Sequence, residues 1–146
     1  MELIEFLVQT RAEVSDEIAE RMTISGTPYP YPELVFSEIV MRHMEDVGMT
    51  YEPQVCYYDT KVGNANIKLS GYSVSEDDDR LDLFVSIYMN AETLQSVPDS
   101  ITHKAAEQCL RFLSLSAQGK LASTMDPSND AHELAVHIEN GYAGLD

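Results

Sequence analysis

The chain has 146 residues, of which 25 are acidic and nine basic, and its net charge is −16. This length fits one domain with a sizeable core. The charge disfavours direct nucleic-acid binding, because neutralising a phosphate backbone takes several basic groups. A basic protein partner suits the charge better, and solubility alone also explains an acidic surface. The lysines are scattered single charges: Lys61, Lys68, Lys104 and Lys120.

The sequence contains no targeting or membrane pattern. Its first residues, MELIEFLVQTRAEV, lack the basic start of a signal peptide, and no apolar run approaches the roughly 20 residues that cross a bilayer. We therefore expect a cytoplasmic protein without membrane contact. Cys56 and Cys109 lie far apart and form no Cys-x-x-Cys pair, so they are predicted to be buried thiols.

The first two predicted elements are amphipathic helices separated by a proline-rich break. Apolar residues recur at helical spacing over residues 2–22, and the prolines of SGTPYPYPE end that pattern. A second helix is predicted from Tyr31 or Pro32 to Val47, with Gly48 placed to end it. The positions predicted to face the core are Leu3, Leu7, Val14, Ile18 and Met22, then Leu34, Val35, Ile39, Val40, Met44 and Val47.

Three strands are predicted to follow. The first reads YEPQVCYYD, residues 51–59, and a polar loop covers residues 60–66. The other two form a hairpin over residues 67–89, IKLSGYSVSEDDDRLDLFVSIYM, with SEDDD as its turn. Apolar residues alternate from Leu81 to Met89, and the second face of this strand is partly apolar too. We therefore expect it to be the central strand, covered on both sides.

Two further helices complete the predicted fold. The third begins after Asp99 or Ser100, both good N-caps, and runs past Leu113, whereas the fourth covers AHELAVHIEN, residues 131–140. This order predicts an α+β fold, in which a small central β-sheet of about three strands is flanked by helices. The residues predicted to be buried are Ile101, Ala105, Cys109, Leu110 and Phe112, then Leu134, Ala135 and Ile138.

Most familiar catalytic and metal-binding patterns are absent from the sequence. No Gly-x-Ser-x-Gly or phosphate-cradling glycine loop occurs, and the acidic SEDDDR stretch lacks the ligand spacing of a calcium loop. Cys109 has no identifiable base beside it. The histidines do not stand at metal-ligand spacing: His43, His103, His132 and His137. We therefore predict neither a metal nor a cofactor.

The second helix and the hairpin have the arrangement of a restriction-endonuclease-like core. Such a site places one acidic residue on a strand and an acidic-x-Lys triplet on the next, where the carboxylates bind magnesium. Here the position before Gly71 and Tyr72 is Ser70, and the triplet place reads Val85-Ser86-Ile87. The sequence therefore predicts a degenerate nuclease-like core, which keeps the shape of the site without its metal ligands.

Two alternative functions, each from a different class of protein, remain open. An active magnesium-dependent nuclease would use Glu38 with Asp59 or Asp82, and their carboxylates would then converge within roughly 4–6 Å of one point. A small acidic protein that mimics DNA would instead array its carboxylates in two rows at phosphate-like spacing. Tyrosine is favoured at protein interfaces, and the candidate interaction surface consists of Tyr29, Tyr31, Tyr57, Tyr58 and Tyr72.

Three stretches resemble the N-terminal region of abortive infection phage resistance (AIPR) proteins: the first helix, IKLSGYSVSEDDDRLDLFVSIY and DPSNDAHELAVHIEN. That family has an Asp-Gly-Tyr strand, an acidic turn and a Leu-x-Leu-Phe strand, followed by helices that end in Pro…Leu-Ala-x-x-Ile. The corresponding residues here are Ser70-Gly71-Tyr72, Leu81 to Phe84, Pro127, and Leu134 to Ile138. The resemblance implies bacterial antiphage defence by abortive infection. It also implies that residues 1–146 are a single domain, the N-terminal fragment of a longer protein.

Together these features favour a non-catalytic domain that acts in recognition or assembly. Its expected partner is another protein or the remainder of the full-length chain. A homodimer through the apolar faces of the first and last helices also fits the pattern.

Overall fold

The computed structural model of the chain describes residues 2–24, 32–75, 80–89 and 91–142. In these residues the chain forms helices α1 (Leu3–Ile24), α2 (Pro32–Asp46), α3 (Asp99–Ala117) and α4 (Asp130–Tyr142). The strands are β1 (Gln54–Val62), β2 (Ala65–Val74) and β3 (Leu81–Phe84). The predicted α+β fold, a small sheet flanked by helices, is therefore confirmed. Of the predicted acidic turn SEDDD, residues 76–79 lie outside the described residues.

The sheet is antiparallel, and its strand order is β1-β2-β3. The first hairpin is longer than predicted, because β1 continues to Val62, which pairs with Ala65. Gly63, with φ of 62°, occupies the first central position of a two-residue turn, where glycine is favoured because φ is positive. The predicted polar loop at residues 60–66 is thus wrong.

β3 is shorter than predicted and lies at the edge of the described sheet. It pairs with β2 from Val74–Leu81 to Gly71–Phe84 and ends there, and its four side chains are half-buried. The prediction of a central strand extending to Met89 is wrong. Alternating apolar residues indicate a half-buried strand, but they do not determine the order of strands in the sheet. The central strand is β2.

Two clusters of buried side chains stabilise the fold. In the larger one, Ile67 and Leu69 of β2 pack with Phe112 of α3 and with Leu134 and Ile138 of α4. Burial of the predicted residues on α4 is thereby confirmed, and these apolar residues already serve the internal core. The smaller cluster joins α1 to α2 through Val14, Ile18, Val35 and Ile39.

Several residues predicted to be buried are exposed. In α1 only the middle is buried, because it packs on α2 there, and Leu3 and Met22 near its ends are exposed. Val47 follows the end of α2 and is exposed as well. Helical spacing predicts which face is apolar but not how far along the helix a partner extends. In α3 the exposed residues are Ile101 and Leu110.

The observed ends of the helices agree in part with the ends predicted from the sequence. Gly48, with φ of 77°, follows α2 as predicted, and its N–H donates to Glu45 O over 2.9 Å. Asn129 caps α4, since its Oδ1 accepts from Ala131 N over 2.9 Å. The predicted capping of α3 is wrong. Pro98 occupies the cap position without a side-chain hydrogen bond, and Asp99 is already the first helical residue.

Candidate functional site

The close approach of α2 to β2 at Gly71 determines the geometry of the candidate site. A Cβ atom at Gly71 would lie 2.5 Å from Met41 Sδ and 2.7 Å from the backbone oxygen of Gln54. Both distances are shorter than a carbon atom tolerates. The glycine of the Ser-Gly-Tyr sequence is therefore required by packing, and the absence of a side chain allows α2 to lie against the sheet.

Three serines meet where α2, β2 and the segment after β3 come together, and we call them the serine cluster. Ser37 Oγ lies 2.6 Å from Ser86 Oγ, and Ser86 N donates to Ser70 Oγ over 2.9 Å. Ser37 also donates its hydroxyl proton to Glu33 O over 2.8 Å. Because that proton is committed, Ser86 is the donor in the Ser37–Ser86 bond. Ser37 and Ser70 are 2% and 1% exposed, so solvent does not complete these bonds.

The serine cluster contains the strand position that the sequence compares with a nuclease carboxylate, and it includes the middle residue of the triplet place. Ser70 precedes Gly71, and Ser86 is the middle residue of the triplet place. The structure brings these two positions into direct contact. Neutral hydroxyls stand there, and they are bonded to one another or to the backbone. The carboxylates that magnesium prefers are absent from the three positions of the cluster.

An ion pair borders the serine cluster. Lys68 Nζ on β2 contacts Glu33 Oε1 in the first turn of α2, and both side chains are largely buried. The contact is electrostatic rather than a well-aligned hydrogen bond. Sequence reasoning missed this pair, because it treated Lys68 as an isolated charge. The signal was present in the spacing of Glu33 and Ser37, which are four residues apart and therefore share one helix face.

A cavity of about 280 Å³ opens beside the ion pair. Its walls come from the start of α2, the middle of β2, the segment after β3 and the first half of α3. The polar lining residues are Glu33, Lys68, Ser86, Tyr88, Lys104 and Gln108. The cavity thus joins the serine cluster and the ion pair to the surface of the domain.

The alternative nuclease carboxylates each have separate partners. Glu38 faces α1, where it pairs with Arg21, and its other oxygen lies 3.7 Å from Arg42. Asp82 Oδ1 accepts from Arg80 over 2.9 Å, and Asp82 Oδ2 accepts from Thr50 over 3.4 Å. These contacts occupy both carboxylates with basic or hydroxyl groups of the chain itself.

The third carboxylate, Asp59, lies far from Asp82. In the sheet Asp59 is opposite Lys68 and Asp82 is opposite Ser73. These two β2 residues are five positions apart, which corresponds to roughly 16 Å along a strand. The structure therefore does not bring the two aspartates together. Within the described ranges, no three His, Cys, Asp or Glu side chains form a group that could hold a metal ion.

The predicted tyrosine surface is divided between described and undescribed parts of the chain. Tyr29 and Tyr31 lie outside the described residues. Tyr58 packs edge-on against Phe112 with ring centroids 5.7 Å apart, and Tyr72 donates its hydroxyl to Gln54 Oε1 over 3.0 Å. Burial raises the pKa of Tyr58. Burial is also the largest of the causes that raise the pKa of Tyr72. These two rings line the larger core, and Tyr57 is half-buried.

Both cysteines are free, buried thiols, as predicted. Burial raises the pKa of Cys56 to about 12, with a smaller contribution from the negative charge of Asp130. Burial also raises the pKa of Cys109 to about 11. Because the thiolate is the nucleophilic form, neither side chain is an activated nucleophile at neutral pH.

The described residues thus define an α+β domain in which hydroxyls and one ion pair occupy the junction between α2 and the sheet. The sequence model described as the abortive infection phage resistance protein N-terminal domain matches residues 36–146. This match includes the sheet, α3, α4 and most of α2. The chain belongs to that family. Comparisons with curated proteins and with solved structures gave no match. In the parts of the chain that are described, every helix is too short or too polar to cross a membrane.

Proposed function

We propose that this domain serves abortive infection defence against phage as a non-catalytic module for recognition or assembly. Membership of the AIPR N-terminal family supports the role in defence. The observation that carries the non-catalytic role is the contact between Ser70 and Ser86. A nuclease of the restriction-endonuclease type would hold an acidic residue at the Ser70 position and an acidic residue and a lysine at the positions of Val85 and Ile87. Here Ser70 is instead bonded to Ser86, between two apolar residues.

The ion pair beside the serine cluster supports the same proposal. A magnesium ion requires oxygen ligands at 2.0–2.1 Å and is usually bound by one or two carboxylates. Glu33 contacts the cluster through its backbone oxygen, which accepts from Ser37, and Lys68 neutralises its carboxylate. Replacing Lys68 by a metal ion at Glu33 would leave an ammonium group largely buried without its partner, which costs free energy. A degenerate restriction-endonuclease-like core is the interpretation that these contacts favour.

The proposed setting is a cytoplasmic assembly in which the domain contacts another protein or the rest of a longer chain. The net charge of −16 supports a protein partner, because it repels the phosphate backbone of nucleic acid. Exposed apolar side chains at the start of α1 support a role in assembly: Leu3, Ile4, Phe6 and Val8.

Two measurements on the same preparation test this function. Incubation with magnesium or manganese and with DNA or RNA is expected to give no cleavage. Calorimetric titration of manganese is expected to show no saturable site, both in the parent chain and in Glu38→Ala, Asp59→Ala and Asp82→Ala variants. Metal-dependent cleavage that any of these substitutions abolishes would overturn the non-catalytic proposal and establish the nuclease alternative.

A further inference from the structure

The basic residues of this acidic chain are mostly neutralised by carboxylates. All five arginines and Lys68 form ion pairs. Arg21 pairs with Glu17 and Glu38, and Arg42 also pairs with Glu38. The remaining pairs are Arg11–Glu92, Arg80–Asp82, Arg111–Glu107 and Lys68–Glu33. Three lysines form no ion pair with any carboxylate in the described ranges. Of these three, Lys61 and Lys120 do not line the cavity beside the serine cluster, whereas Lys104 does.

Lys104 gives the cavity a local charge opposite to that of the whole chain. Two ammonium groups, those of Lys104 and Lys68, line it against the single carboxylate of Glu33. The formal sum is therefore +1 in a chain of net charge −16. A cleft with low-dielectric walls concentrates the field of its own charges. An anion is thus attracted to this cavity even though most of the surface repels it.

Neutral donors and apolar walls accompany the lysines. Tyr88 and Gln108 supply a phenol and an amide, and both line the cavity. The ring of Tyr88 is held by Phe36, with centroids 5.2 Å apart. Ser86 contributes a hydrogen-bond acceptor rather than a donor, because its own hydroxyl proton is directed to Ser37. Ile87 and Ile101 form apolar wall, on which an organic group can pack.

We propose that this cavity binds a small phosphomonoester, which deepens the recognition role proposed above and rests on it. The phosphate is held by Lys104 and Lys68 with Tyr88 and Gln108 as neutral donors, since a dianion with three terminal oxygens matches several convergent donors. The organic part lies on the isoleucine wall. A cavity of about 280 Å³ is at the small end of ligand sites, so a compact ligand fits and a polynucleotide does not.

The test uses phenyl phosphate as the probe and three lysine variants of the 146-residue chain. Calorimetry is expected to show one saturable site for phenyl phosphate and weaker binding of inorganic phosphate, which lacks the apolar part. The Lys104→Gln variant is expected to bind phenyl phosphate roughly tenfold more weakly, as for loss of one charge-assisted hydrogen bond. The matched variants Lys61→Gln and Lys120→Gln are expected to stay within about twofold of the parent.

Three outcomes would overturn this inference. The first is no saturable binding of phenyl phosphate at about 10 mM, a ligand concentration that reveals even weak sites. The second is equal weakening in all three lysine variants, which would indicate diffuse attraction. The third is that benzoate binds as tightly as phenyl phosphate, which would show that the cavity does not distinguish a phosphate from a carboxylate. These results leave the manganese and cleavage assays unaffected, so failure here and failure of the proposed function are distinguishable.

Discussion

The backbone N–H of Ser86 donates to the side-chain hydroxyl of Ser70 over 2.9 Å, beyond the point where β3 ends. β3 last pairs with β2 at Phe84 and Gly71. The Ser70 hydroxyl therefore takes the place of a backbone acceptor and holds the following segment against the sheet. Because Ser86 also bonds Ser37, one side chain of the central strand helps to position α2 as well.

We expect Ser70→Ala to destabilise the domain by about 1–2 kcal/mol, because it leaves the Ser86 N–H without its acceptor in a buried place. Urea unfolding, followed by circular dichroism, measures this change. The matched control is Ser123→Ala, whose hydroxyl bonds are exposed, and its expected effect is below about 0.5 kcal/mol. Equal stability of the two variants would show that the Ser70 hydroxyl does not hold this segment.

Gly71→Ala and Gly141→Ala should differ in sign. A Cβ at Gly71 meets Met41 Sδ at 2.5 Å and a backbone oxygen at 2.7 Å, and nothing lies within 4 Å of one at Gly141. Overpacking is expected to cost Gly71→Ala about 1–3 kcal/mol. Gly141 lies in the last turn of α4, so alanine there is expected to stabilise by up to about 1 kcal/mol. Thermal unfolding of both variants measures the difference, and an unaffected Gly71→Ala would contradict the close packing of α2.

The sequence identifies the elements more reliably than their mutual arrangement. Burial of Leu134, Ala135 and Ile138 on α4 follows from helical spacing, and the structure confirms it. The sequence did not predict the hairpin around Gly63. A Gly-Asn pair within a polar stretch indicates a loop unless strands are recognised on both sides of it. The edge position of β3 was missed because residue alternation describes one strand at a time and carries no information on its neighbours.

At the candidate site, too, the sequence predicts a helix but not how that helix is oriented against its neighbours. Sequence reasoning chose Glu38 as the acidic residue of α2, but the structure turns Glu38 toward Arg21 and Glu33 toward Lys68. The two glutamates are five positions apart, which is about 140° around a helix. The rotation of α2 decides between them, and that rotation depends on the close contact at Gly71, a tertiary feature without a local signal.

Removal of either partner of the Glu33–Lys68 pair is expected to destabilise the domain. Lys68→Met leaves the largely buried Glu33 carboxylate unpaired and is expected to cost about 1–3 kcal/mol, less than for a fully buried pair because some exposure remains. The double variant Glu33→Leu with Lys68→Met removes both charges and is expected to recover much of that loss. Urea denaturation of the parent, both single variants and the double variant measures the coupling, and strictly additive effects would contradict a direct pair.

α1 offers a matched pair of valines on one helix. Val14 is 3% exposed and packs on α2, whereas Val8 is 57% exposed. Val14→Ala is expected to cost about 1–3 kcal/mol through lost burial and a residual cavity. Val8→Ala is expected to leave stability within about 0.5 kcal/mol of the parent, because alanine is also the better helix former. A comparable loss in Val8→Ala would reveal that the start of α1 is packed in solution.

The buried thiols predict a loss of stability in alkali. The pKa of Cys56 is raised by burial to about 12 and that of Cys109 to about 11, compared with about 8.5 for an exposed thiol. The folded state therefore keeps both protons at a pH where the unfolded chain releases them. This stabilisation is complete below about pH 8.5 and is lost as the pH rises toward 11–12, by up to about 1.4 kcal/mol per pH unit for each thiol.

Comparison of the parent with Cys56→Ala isolates this effect from the titration of tyrosines and lysines. Urea unfolding at pH 8 and pH 10.5 is expected to show a smaller decrease in stability for the variant, since one fewer thiol titrates on unfolding. Thiol labelling gives an independent measurement, and both cysteines are expected to react only after the chain unfolds. Rapid labelling of the folded parent at pH 8, or equal decreases in the two proteins, would contradict the burial of Cys56 in the larger cluster.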